Sequence, residues 1–175
     1  SSQKALQEAI MHLQEATRLD PSFAYAFHNL AHAWYIAAEG LIKASSRPNF
    51  FVKVYKGAGF FKDHTDVEDS IRDVLESALE AVDQALVIRY EFPQAHNTRA
   101  MVLAKLFRLD EAFEATQVAL LQSPDYKNAS DSQELIKKMI RERATIPGYK
   151  NEAGFLENVN ELRKQQSKMW KDLMK

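Results

Sequence analysis

The chain contains no cysteine among its 175 residues. Disulfide frameworks, thiolate zinc sites and cysteine nucleophiles are therefore excluded together. The compartment is not fixed by this, since a cysteine-free chain suits cytosol and periplasm alike; the cytoplasm is the favoured expectation. Glycine and proline number only five each, so the composition is not that of a loop-rich chain. Gly57-Ala58-Gly59 lacks the Walker spacing and its Lys-Ser/Thr ending, and is not a phosphate loop. No apolar run is long enough to span a bilayer, and no secretory signal is visible. Net charge is −1, which lacks the positive excess of a nucleic-acid binder, and no nucleic-acid partner is expected. No nucleophile motif, cofactor loop or paired-carboxylate site stands out, so the chain reads as a non-enzyme without cofactor.

What is present favours helix. Hydrophobic residues make up 46% and charged residues 27%, with Ala, Leu, Glu and Lys abundant. Residues 3–19 place Leu6, Ala9, Ile10, Leu13, Ala16 and Thr17 on one helical face, and Asp20-Pro21 stops them. A second helix is predicted from about Phe23 into the low forties. Residues 45–65 break the pattern at Pro48, Gly57 and Gly59. Thr65 and Glu68 form a capping box for a helix running to about Arg89. Further helices are predicted at about 93–107, 110–122, 131–144 and 151–173, and no segment alternates as a strand.

Small residues recur at one spacing. Ala9, Leu13, Ala16 and Pro21 set it; Ala112, Thr116, Ala119 and Pro124 repeat it; Ala78, Val82 and Ala85 repeat it again, with Tyr90 where the proline would stand. Small side chains let two helices approach closely, and the proline turns the chain into the next unit. Phe27, Leu30, Ala31 and Trp34 form an aromatic–Leu–small–aromatic run in the helix from Phe23, and the unit 93–124 carries Ala95, His96, Ala100 and Leu103. Together these positions resemble the tetratricopeptide repeat, a helix–turn–helix unit of about 34 residues. Arg99 departs from the pattern, standing where the family usually has Leu. The resemblance implies an all-α superhelix of about three such units in a single domain, 1–175. Residues 3–21 would be the second helix of a partial repeat, 23–90 a repeat with an insertion at 45–65, 93–124 a repeat, and 125–175 a degenerate repeat or cap. The leading half-unit reads as cut from a longer protein or as covered by a partner, because a repeat needs neighbours to bury its faces.

The resemblance also implies a function: a scaffold or adaptor that holds an extended peptide or partner protein in a groove lined by first helices. By matching position that groove is Tyr25, His28, Asn29, His32, Tyr35 and Ile36, then Gln94, Asn97, Thr98, Met101 and Lys105. Asn128, Asp131, Leu135 and Lys138 would follow from a third unit. An Asn amide carries both donor and acceptor, so Asn29 can pair with a peptide backbone in either sense. His28 and His32 stand four apart, which is also metal-ligand spacing on a helix, but no third ligand accompanies them and no metal is expected. The alternative function is the substrate-binding or regulatory arm of a larger multidomain enzyme.

Two further segments carry expectations. Lys43, Arg47, Lys53, Lys56 and Lys62 occur with no acidic residue between them, interleaved with Phe50, Phe51, Tyr55, Phe60 and Phe61. A lid, a contact for an anionic partner, a membrane-surface or nucleic-acid contact, and simple packing of the aromatics onto the helices all fit this composition. Phe155, Leu156, Val159, Leu162, Met169, Trp170 and Leu173 give the last predicted helix an apolar stripe, for capping or for dimerisation. Self-association through that helix or the leading half-repeat is thus expected as an option.

Overall fold

The computed structural model describes residues 2–44, 66–144 and 172. The described residues form six helices and no strand: α1 (Ser2–Leu19), α2 (Ala24–Ala44), α3 (Asp66–Ile88), α4 (Pro93–Lys105), α5 (Leu109–Gln122) and α6 (Lys127–Ala144). Of the basic aromatic stretch 43–62, Lys43 lies in α2 and residues 45–62 lie outside the described residues, as do Thr65 of the expected capping box and the stripe from Phe155 to Leu173.

Local chemistry explains the boundaries. After α1, Asp20 Oδ1 accepts from the Ser22 backbone at 3.0 Å and from its hydroxyl at 2.6 Å, an Asx turn that ends the helix. Pro93 opens α4, where a missing N–H costs nothing. That helix stops at Lys105, two residues before the expected Phe107, because Phe107 takes a left-handed conformation at φ 58°. Phe107 N–H then bonds Ala104 O at 3.0 Å and Arg108 N–H bonds Leu103 O at 2.9 Å, the paired bonds of a Schellman cap. A tight turn results and α5 folds back beside α4. Asp110 and Glu111 occupy the first turn of α5, where carboxylates suit the helix dipole. Arg108 closes that turn with two bonds to Glu111, at 2.6 and 2.7 Å. The helix α6 begins at Lys127, four residues before the expectation. Only Ala129 is buried before Ser132, so apolar periodicity gave no sign of that first turn.

The helices pack as sequential pairs. The heaviest packing joins α2 to α3 and α4 to α5; α1 leans on α2, α3 on α4, and α2 also meets α4. This is an all-α helical repeat, with first helices α2 and α4 and second helices α3 and α5. The repeated small positions are the contact points. Ala78, Val82 and Ala85 of α3, and Ala112, Thr116 and Ala119 of α5, are all fully buried. Around them Ile71, Leu75, Leu103 and Leu109 are buried almost completely, each contributing on the order of 1.5–3 kcal/mol through its removal from water. Thr116 satisfies its hydroxyl on Phe113 O at 2.7 Å, so a polar residue fills an Ala/Val position without cost.

The helix α1 differs. Its equivalent residues are Ala9, Leu13 and Ala16; Ala9 is exposed and the other two are half-buried, while Ile10 alone is buried. The side that α3 and α5 bury against their own first helices is thus only partly covered on α1. By contact the chain divides into two compact units, residues 1–139 and 140–175. The helices α1 to α5 and most of α6 belong to the first. Of the second, the described residues are the last turn of α6 and Asp172.

Candidate functional site: the seam of α2 and α4

First helices of neighbouring units meet along α2 and α4, and side chains four and three apart on each helix share the line of contact. The seam is built around Phe92, just before α4 and 3% exposed. The His28 ring lies 4.8 Å from it and the Tyr25 ring 4.9 Å, centroid to centroid. The Arg89 guanidinium stands 5.2 Å from the centroids of both Tyr25 and Phe92, donates to the Tyr25 hydroxyl, and fixes itself through Nε to Glu91 O at 3.1 Å. A stacked, hydrogen-bonded guanidinium is a rigid closure for this end of the seam.

In the middle, His28 Nε2 and Thr98 Oγ1 are hydrogen-bonded at 3.0 Å across the two helices. Burial pushes the His28 pKa below the ordinary imidazole value, His32 one turn away adds to that, and the Gln94 carbonyl pulls the other way. At the far end Tyr35 donates to Glu39 Oε1 at 3.1 Å, and Lys105 Nζ lies 3.3 Å from the same oxygen and 5.8 Å from the Tyr35 ring centroid. Burial first and Glu39 second raise the Tyr35 pKa above the usual phenol range, so the hydroxyl stays protonated.

The residues expected to line a groove are therefore placed in two groups. Tyr25, Asn29, His32, Ile36 and Gln94 are exposed. His28, Tyr35, Asn97, Met101 and Lys105 are half-buried and Thr98 is buried, so these close the seam beneath that surface. Asn97 Oδ1 is buried and has no hydrogen-bond partner. On α6, Asn128, Asp131, Leu135 and Lys138 are all exposed, and Asp131 is bound at 2.7 Å by Lys127. Among the described residues no three His, Cys, Asp or Glu side chains converge as metal ligands.

Sequence reasoning missed Arg89, Phe92, Glu39 and Asp83. A signal for Phe92 existed: Phe23 stands at the same place one unit earlier, directly before α2. Asp83 explains the departure at Arg99. Arg99 Nε meets Asp83 Oδ1 at 2.7 Å from α4 to α3, so a charge pair stands where a Leu contact would be. Behind the seam, His96 is buried with Nε2 2.9 Å from Tyr90 O, and Gln122 Nε2 donates to the same carbonyl at 3.0 Å. Burial lowers the His96 pKa, with the Tyr90 carbonyl opposing and Arg99 reinforcing.

No protein-family profile matches the chain, and no curated protein matches it. Among solved structures it is similar to one titled "Crystal structure of MamA", at 18% identity and a TM-score of 0.38 over 95% of this chain and 94% of that one. The helical-repeat fold is seen in the helix pairs themselves. No helix of the described residues is long and apolar enough to cross a membrane.

Proposed function

We propose that this chain is a non-catalytic protein-interaction scaffold of the tetratricopeptide type, and that it binds an extended peptide along the face shared by α2 and α4. The observation that supports the reading most is the pairing of exposed amides and rings on that face. Asn29 and Gln94 offer donor and acceptor together, while Tyr25, His32 and Ile36 beside them offer apolar area. The floor beneath is already fixed by Phe92, Thr98 and the Glu39–Lys105 pair, so a ligand meets a pre-formed surface and loses little to reordering. Selection of peptides against the full chain, followed by titration calorimetry of the best binder, tests this. Asn29→Ala should weaken binding roughly tenfold through lost backbone pairing. Unchanged affinity for Asn29→Ala and Gln94→Ala together would place the binding surface elsewhere.

A second reading, self-association, is supported by the open side of α1. Sedimentation over a wide concentration range tests it: a species heavier than the monomer that Ala9→Glu abolishes is the expected outcome, and a monomer throughout ends the reading.

A further inference from the structure

Among the half-buried side chains of the seam, His28 is a titratable group that bridges the two helices directly. It crosses from α2 to α4 at mid-seam, with Nε2 3.0 Å from Thr98 Oγ1 and its ring on Phe92. We propose that His28 is a proton-operated latch, closed while its ring is neutral and released on protonation, so that mild acid loosens the α2–α4 seam and removes the peptide-binding surface above it. The proposal rests on the groove reading for its consequence, but the latch itself does not.

The surroundings of the ring decide its response. From α2 itself comes His32, one turn away, whose Coulomb interaction disfavours a proton on the ring. From α4 come the Gln94 carbonyl and the Thr98 hydroxyl, neither of them charged. From the connection before α4 comes Phe92, with the Arg89 cation over its ring and the Glu91 side chain exposed. The Glu39–Lys105 pair stands three turns further along α2, roughly 16 Å away. The helices α1 and α3 also pack on α2; the groups that act on the ring are His32 and the Gln94 carbonyl. A proton on His28 therefore creates a half-buried cation beside a second histidine, on a Phe92 ring that already carries the Arg89 cation. The way to relieve it is to take the ring to water, which separates His28 from Thr98 and uncovers Phe92.

Hydrogen exchange on the full chain tests the latch without any ligand. Protection of the amides of 24–38 and 93–105, corrected for intrinsic rates, is compared at about pH 7.5 and about pH 5.5. The wild type should lose roughly tenfold in protection at the lower pH, the equivalent of one pH unit of linkage. His28→Gln keeps a donor and an acceptor but does not titrate, and should lose clearly less protection than the wild type, its remaining loss tracing to His96. An equal loss in His28→Gln overturns the proposal. Should that variant fail to fold, the wild-type ring is followed directly by NMR: a His28 midpoint above the free-imidazole value overturns the latch, and one below it, with seam amides shifting in step, supports it. A peptide selected at about pH 7.5 supplies the second arm, expected to lose affinity at about pH 5.5 in wild type but not in His28→Gln. Failure to select any peptide would count against the groove reading alone, because the exchange result stands without it.

Discussion

Phe107 carries the least comfortable backbone of the described residues. A non-glycine side chain at φ 58° costs roughly 1–2 kcal/mol, least for Asn and most for β-branched residues. The Schellman bonds to Ala104 O and Leu103 O hold it there. Phe107→Val should therefore unfold at lower denaturant than Phe107→Asn, by about 1 kcal/mol or more, although Val is closer to Phe in polarity. Equal midpoints would mean that the turn relaxes. The buried histidines give the second prediction at this scale. His28 and His96 both have pKa values lowered by burial. The unfolded chain then binds protons that the folded chain resists, so stability is fully present above the unfolded imidazole value of about 6.5 and falls as pH drops below it, levelling once the folded values are passed. Urea midpoints should decline from about pH 7.5 to about pH 5. A double variant His28→Gln/His96→Gln should decline less, and an identical decline would assign the effect to carboxylates.

At the scale of elements, the same residue type stands at equivalent points of three helices with different burial. Ala78 and Ala112 are fully buried between helix pairs, whereas Ala9 is exposed on α1. Ala78→Leu and Ala112→Leu should each cost about 1–3 kcal/mol through overpacking, and Ala9→Leu should stay within about 0.5 kcal/mol. A large cost at Ala9, growing with protein concentration, would show a second chain covering α1. The spacing of these alanines was legible in the sequence, because close helix approach is recorded by small residues at fixed intervals within one segment. The seam was legible only in part. Matching positions brought His28 and Thr98 to it, but nothing local couples Arg99 to Asp83 sixteen residues back, or Lys105 to Glu39 on another helix. The turn at Phe107 was not legible either, since left-handed turns are read from Gly or Asn and here an aromatic takes the place.

Across the whole molecule, stability in a repeat chain is a sum of unit terms and nearest-neighbour contacts, so a helix with one neighbour opens before helices with two. The helix α3 packs on both α2 and α4, and α4 on α2, α3 and α5, while α1 packs chiefly on α2. Buried side chains follow the same gradient: Ile10 alone in α1, against Ile71, Leu75, Ala78, Leu79, Ala81, Val82 and Ala85 in α3. Native-state hydrogen exchange on dilute protein should therefore rank α1 lowest of the two, its amides exchanging through local opening while α3 exchanges near the global limit. Raising the concentration separates two explanations for any departure. If α1 gains protection with concentration, its open side is the docking face of a second copy and Ala9→Glu should remove the gain. If α1 is as protected as α3 even when dilute, a contact within the chain covers it, and the gradient argued from helix neighbours fails.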